Sequence, residues 1–250
     1  MRVSFCTTCK GRLYHLRQTL RRNIDDHSSC EDVEFVLLDY NSKDGMADWV
    51  KATFPQEIAS GRLVYFHERT REYYDSSLAK NVAKAASSGE IICNLDADNF
   101  TTPDYADTIR RVLLGDPKRF ITHGTIEYVG GRVTMWRKDF IKIRGYDESL
   151  VGFGYDDCDV KNRARAMGLE EYQLPLPSTQ SLANTDEERV CHMGPPDPSR
   201  SWGEIRYQYH YANIEKCRTR GADVVVNPSG FGRATLFKNF SETPIEVGFP

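Results

Sequence analysis

The first hundred residues alternate short apolar runs with amphipathic stretches, and that alternation limits the fold more than any other feature of the chain. The runs at 2–8 (RVSFCTT), 33–39 (VEFVLLD), 62–68 (RLVYFHE) and 90–98 (EIICNLDAD) have the length and near-continuous apolarity of strands covered on both faces. Between them, Leu13, Leu16, Leu20 and Ile24 fall on one helical face, MADWVKATF reads as a helix stopped by Pro55, and SSLAKNVAKAAS reads as a helix capped at Ser76 or Ser77 and ended at Gly89. Short connections between alternating strands and helices predict an α/β fold with a mostly parallel sheet and helices on both faces. Ligands of such sheets bind outside the carboxyl ends of the strands.

Acidic residues stand at those ends. Asp39 closes the second run, and Asp96 and Asp98 close the fourth. An ionised carboxylate is not left unpaired in a core, so these groups either face a wet crevice or hold a cation. A lone D-x-D is also a common turn and helix cap, so the pair needs support from the rest of the chain.

That support begins after Pro103. A helix (DYADTIRRVLL) is followed by FITHG, by GGRVTMWRKDFIKIRGYDE, where two glycines precede a strand-like run and a short amphipathic helix, and by GFGYDDCDVKNRARAMG, a Gly-rich loop leading through paired acids into a helix. Beyond it the chain is turn-rich (LPLP, GPPDPS, NPSGFG), with a Tyr-rich helix over SWGEIRYQYHYANIEKCRTRG. No repeat or low-complexity linker divides the 250 residues, and we expect one domain over 1–250, with a nucleotide-binding half at 1–100, an acceptor and catalytic half at 101–195 and a C-terminal extension at 196–250.

Composition narrows the functional classes. With 33 Lys and Arg against 36 Asp and Glu, the net charge of −3 offers no general basic field for nucleic acid or anionic membrane. The N-terminal MRVSFCTTCKGR turns polar too soon for a secretory core and no stretch reaches the length of a membrane span, so the sequence reads as cytoplasmic. Seven scattered cysteines predict free thiols in a reducing compartment; only Cys6 and Cys9 form a C-x-x-C, without the second pair that a zinc ribbon needs.

The order of these patterns resembles the GT-A class of nucleotide-sugar glycosyltransferases. Over residues 1–100, VLLDYNSKDG and LAKNVAKAASSGEIICNLDADNF are similar to family 2-like enzymes; GGRVTMWRKDFIKIRGYDESLVGFGYDDCDV resembles the galactosyltransferase-type C-terminal segment, as GRLYHLRQTL resembles the start of its first helix. The resemblance implies a metal-dependent, inverting transfer of a hexose from a nucleotide diphosphate sugar, a UDP-sugar first, to an acceptor hydroxyl of a glycan or another compound, a nucleic-acid base included. It implies Mn²⁺ or Mg²⁺ as cofactor, held by Asp98 and Asp96 with His192 of RVCHMG as third ligand. Asp157 takes the place of the general base and Asp156 that of an acceptor contact. Thr7, Thr8, Arg12, Asp39, Lys80, Asn81 and Asp96 fall at nucleotide-binding positions, with Lys10 beside them. Trp136 and Phe153 are the aromatic candidates for acceptor stacking, Phe153 standing where the pattern has Trp.

The chemistry is consistent with these residue types. Sugar transfer must neutralise a departing diphosphate and deprotonate a hydroxyl, and carboxylates serve both needs, as ligands of a hard cation and as a base. Two alternatives remain open, a nucleotidyltransferase on a related sheet and a sugar- or nucleotide-binding domain without catalysis. A dehalogenase-type phosphatase fits poorly, since Asn99 and Phe100 follow the D-x-D where that motif has Thr or Val.

Overall fold

The computed structural model describes residues 1–123, 130–174, 180–221 and 225–250. In chain order its elements are β1 (Val3–Cys9), α1 (Leu13–Asp26), β2 (Val33–Tyr40), α2 (Met46–Thr53), α3 (Pro55–Ala59), β3 (Leu63–Glu68), α4 (Ser76–Ala86), β4 (Ile91–Asn94), β5 (Asn99–Phe100), α5 (Tyr105–Gly115), β6 (Arg119–Thr122), β7 (Thr134–Trp136), α6 (Arg137–Lys142), α7 (Asp156–Ala166), β8 (Glu170–Gln173), β9 (Gln180–Ser181), α8 (Asp186–Val190), α9 (Trp202–Arg220), β10 (Phe231–Lys238) and β11 (Pro244–Phe249).

Nine strands form one sheet in the order β11-β10-β3-β2-β1-β4-β7-β6-β8. The centre, β3-β2-β1-β4, is parallel, and among the described residues only β7 and β10 run against the other strands. The expected α/β class with a mostly parallel sheet is therefore what the chain adopts. Side chains of β1 alternate between two cores: Val3 and Phe5 pack with Leu13, Leu16, Leu20 and Ile24 of α1 and with Ile109 of α5, while Cys6 joins Val36, Leu38 and Val82 under α4 on the opposite face. Each such leucine or valine taken fully from water contributes about 1.5–3 kcal/mol. Cys6 and Cys9 thus point to opposite faces of the sheet, both buried, and all seven cysteines are free thiols. Three residues apart on a strand, they cannot share a metal or a disulfide.

Two local expectations shift. The cap of α4 is Asp75, whose carboxylate accepts from Leu78 N at 3.1 Å, and not Ser76 or Ser77. The fourth strand ends at Asn94, so Asp96 and Asp98 lie in the turn beyond it, with Leu95 N still donating to Cys6 O at 2.9 Å.

The C-terminal residues are part of the main sheet. β10 pairs antiparallel with β3 and with β11, Leu236 enters the core under α4, and Phe231 and Phe249 enter a third core with Phe140 and Tyr146. The turn-rich composition around this hairpin concealed its strands, which pair only because β3 offers an open edge.

Candidate active site

A cavity of about 440 Å³ opens at the carboxyl ends of β1 and β4, where the parallel centre of the sheet meets antiparallel β7. Its floor holds Asp96 and Asp98 from the turn after β4, one wall carries Thr8, Lys10 and Arg12 from the end of β1, and the facing wall is the 153–157 segment that opens α7.

The two strand-end acids face different partners. Asp96 accepts from Asn94 Nδ2 at 2.9 Å through Oδ1, and its Oδ2 points to Gly131. A methyl group at Gly131 would sit 2.8 Å from Asp96 Oδ2 and 3.0 Å from Asp157 Oδ2, so two carboxylates from distant parts of the chain look onto one spot that only a glycine leaves open. Asp98 is 5% exposed and lies beside Arg12, Nη2 to Oδ2 3.6 Å, with Asn99 Nδ2 donating at 2.9 Å and Asn184 Nδ2 also donating. Burial and the neighbouring Asp96 push its carboxyl above the ordinary range against the pull of Arg12. Such a site favours a cation.

Opposite lies a triad of buried Lys80 and Asp156 with half-buried Asp157. Lys80 Nζ on α4 donates to Asp156 Oδ2 at 2.7 Å and to Asp157 Oδ1 at 2.8 Å, and Ser76 Oγ donates to Asp156 at 3.0 Å. Burial raises the Asp156 carboxyl, but the Lys80 charge and the hydrogen bonds from Lys80 and Ser76 outweigh it, and the net direction is down. Asp157 moves the other way, to about 7, through burial and the adjacent Asp156 charge, with Asp96 adding to the rise. One acid is thereby held ionised while its neighbour is tuned toward neutrality, the arrangement that separates a fixed counter-ion from a base.

Several sequence-selected residues do other work. Asp156 accepts from Lys80 and Ser76 through Oδ2 and so anchors the loop, while it also lines the cavity where its acceptor contact is expected. Lys80 is spent on the two acids and offers its charge to them before any nucleotide. Asp39 is 1% exposed and accepts from Ser42 N at 2.9 Å and Tyr65 OH at 2.7 Å, so both oxygens fix the β2 turn. Asn81 is fully buried and ties α4 to Tyr146 through its backbone N and O and to Glu148. Trp136 pairs with Ile91 and packs on the α1 side of the core, while Thr7 is buried; neither lines the cavity. Lys10 lines it, but its ammonium bonds the carbonyls of Tyr40, Asn41 and Arg71 and clasps three loops together.

The structure does bring Thr8, Arg12, Asp96, Asp98, Phe153, Asp157 and His192 to the one cavity. His192 packs on Gly11, where any side chain would overlap the imidazole, and among the described residues no three His, Cys, Asp or Glu side chains are gathered as a ready metal cluster. Sequence reading missed His210 of α9, which also lines the cavity and meets Tyr155 edge-on at 6.0 Å, and Gly131, whose emptiness joins the two acids. Nothing local distinguishes His210 within a Tyr-rich helix.

Solved structures share this architecture. A mannosyltransferase, PcManGT from Pyrobaculum calidifontis in complex with GDP-Man and Mn²⁺, superposes with a TM-score of 0.59 at 20% identity over 70% of this chain and 55% of that one. S. aureus TarS 1–349 in complex with UDP gives 0.60 at 11% identity over 75% of this chain and 62% of that one, and its complex with UDP-GlcNAc gives 0.57 at 11% over 84% and 64%. The chain has the GT-A glycosyltransferase fold. Within that GT-A fold, residues 117–188 match the family described as the N-terminal domain of galactosyltransferase, a segment that includes Gly131 and both acids of the 153–157 loop. The chain spans less than two thirds of the length of these structural relatives. No curated protein matches the sequence.

Proposed function

We propose that the protein is a metal-dependent, inverting glycosyltransferase that moves a hexose from a nucleotide diphosphate donor, a UDP-sugar first, to an acceptor hydroxyl. The observation that carries this reading is the convergence at Gly131 of Asp96, a strand-end acid in the cation-favouring floor, and Asp157, a carboxyl raised to about 7. Solved relatives hold UDP, UDP-GlcNAc or GDP-Man, the last with Mn²⁺, which supports a nucleotide-sugar donor and a divalent ion.

Asp96 and Asp98 would hold Mn²⁺ or Mg²⁺, with His192 completing the protein ligands from the β1 side. The donor types fit, since two carboxylates suit a hard ion that takes its remaining oxygens from phosphates and imidazole suits Mn²⁺ better than Mg²⁺; the three side chains, not gathered as a cluster among the described residues, would close on the ion as it binds. The bound ion supplies neutralisation of the departing diphosphate. Arg12, whose Nε and Nη2 have no hydrogen-bond partner among the described residues, adds positive charge on the same wall. Asp157 accepts the proton of the acceptor hydroxyl as its oxygen attacks the anomeric carbon; the bond from that carbon to the diphosphate oxygen breaks on the opposite face, and the configuration inverts. Lys80 keeps Asp156 ionised and limits the basicity of Asp157, so the base gives up its proton again near neutral pH. Phe153, with the Arg189 and Arg206 guanidinium groups 5.7 and 6.0 Å from its ring, forms the acceptor side.

The test is a donor screen of UDP-sugars and GDP-mannose with and without Mn²⁺, scored by nucleotide release and by the anomeric configuration of the product. Metal-dependent release from one donor with inversion supports the reading, whereas retention moves the base away from Asp157 and release without metal removes the ligand set.

A further inference from the structure

Asp157 is delivered by a backbone segment that would not hold its shape unaided. Gly152, Gly154 and Tyr155 have φ of +69°, +87° and +68°, a left-handed run in which Tyr155 carries a full side chain. Tyr155 is also the residue before α7, and among the described residues no side chain caps the helix there. Such a run persists only where its surroundings impose it.

The surroundings are one face of α9. Asn213 is 2% exposed, and its amide is used completely: Oδ1 accepts from Val151 N at 3.2 Å, and Nδ2 donates to Val151 O at 3.1 Å and to Gly154 O at 2.8 Å. One turn earlier, the Tyr209 ring covers Gly152 and the His210 ring covers Gly154, so closely that an added methyl would come within 2.2 and 2.8 Å of them. One turn later, Lys216 Nζ donates to Ser149 O. Positions 209, 213 and 216 share a helical face, and each of the three residues meets the 149–154 segment, Tyr209 also donating its hydroxyl to Met193 O at 3.4 Å. Asn is a weak helix former because its amide competes for backbone groups. Here that tendency is turned outward, onto another segment's backbone.

We propose that Asn213 is a positioning residue for Asp157: by holding Val151 and Gly154 it fixes the left-handed run and with it the place of the carboxylate beside Gly131 and Asp96. The assignment rests on Asp157 being the base. Without the amide, Val151 N and O and Gly154 O lose their partners together, and the run can relax and carry Asp157 away from the acceptor. The donor side, built from the ends of β1 and β4, stays in place.

Asn213→Ala is expected to lower kcat for transfer by about 10- to 100-fold, since small misplacements of a reacting group have effects of that order, while UDP affinity with Mn²⁺ stays within about twofold. Amide hydrogen exchange over residues 149–157 should rise. In an Asp157→Asn background the same substitution should cost less than about twofold more, because a displaced base cannot be lost twice. Asn213→Asp, which keeps an acceptor for Val151 N but sets a carboxylate oxygen against the two carbonyls, should be at least as impaired as Asn213→Ala. Tyr207→Ala, on the exposed side of the same helix, should change none of these values. A parent that transfers sugar alongside an equally active Asn213→Ala variant overturns the positioning role alone, as do unchanged exchange over 149–157 and additive losses in the double variant. A parent that transfers no sugar from any donor fails the reading of Asp157 as base instead, and is told apart by the parent measurement itself.

Discussion

Lys80 Nζ donates to Asp157 Oδ1 at 2.8 Å from inside the protein, while Asp157 Oδ2 looks onto the cavity beside Gly131. One carboxylate therefore has a buried, compensated side and an open side. The Lys80 ammonium, held far above its normal range by Asp156 and Asp157 despite its burial, stays charged at all working pH values.

Removing that cation should be costly. Lys80→Met leaves two adjacent acids facing an apolar stem, and loss of one partner from a buried ion pair typically costs about 3–5 kcal/mol. Protonation of the acids relieves the cost, so the loss of melting temperature should be larger at pH 8 than at pH 5. Equal melting temperatures for parent and variant at pH 8 would show that Lys80 does not compensate the pair.

Asp157→Asn should leave UDP binding nearly intact and reduce transfer by about 10²- to 10⁴-fold, because a base acts on the acceptor hydroxyl in the transition state. The parent's transfer rate should rise with pH up to about 7, where Asp157 loses its proton, and the limb should move lower with Mn²⁺ bound next to Asp96. A rate flat from about pH 5 to 9 would remove Asp157 from the chemistry.

The same residue predicts a stability effect of opposite sign. Below about pH 4 Asp157 is protonated in both folded and unfolded chains and contributes nothing. As pH rises to about 7 the unfolded chain releases the proton and the folded one retains it, so the parent loses stability across that window. Metal-free Asp157→Asn should thus gain on the parent by roughly 1 kcal/mol at pH 8, with no gain at pH 4. Thermal unfolding at the two pH values decides it; a gain that grows toward acid pH contradicts the assignment.

Asp98→Asn should abolish Mn²⁺-dependent UDP binding with the fold retained, and His192→Ala should weaken it by about 10-fold. Calorimetric titration of UDP with Mn²⁺ present measures both. Tight binding by the Asp98 variant would place the metal elsewhere, and an unchanged His192 variant would confine the imidazole to packing on Gly11.

His210→Ala should raise the acceptor KM by about fivefold, the worth of one hydrogen bond of roughly 1 kcal/mol, and leave the donor KM alone. An effect on the donor instead would put His210 on the nucleotide side of the cavity.

The sequence by itself determined the parallel centre of the sheet and the positions of the candidate acids along the chain. Strand and helix periodicities are local, and Asp96, Asp98 and Asp157 could be placed at strand ends and a helix start because those positions follow from the chain's own pattern of apolar runs and glycines. Which polar atoms remain available was decided only in three dimensions. Asp39 and Asn81 sit in motifs like those that bind nucleotides, yet Tyr65 takes an oxygen of one and the Tyr146 backbone occupies the other, partners that lie at distant points of the chain. Asn213 and His210 stand in a helix with no distinguishing pattern and acquire their roles from the loop packed against them. β10 gained its place from the open edge of β3. A side chain's type is written in the sequence, but whether its hydrogen bonds are already satisfied depends on which neighbours the fold supplies, because a buried polar group keeps whatever partner it finds there.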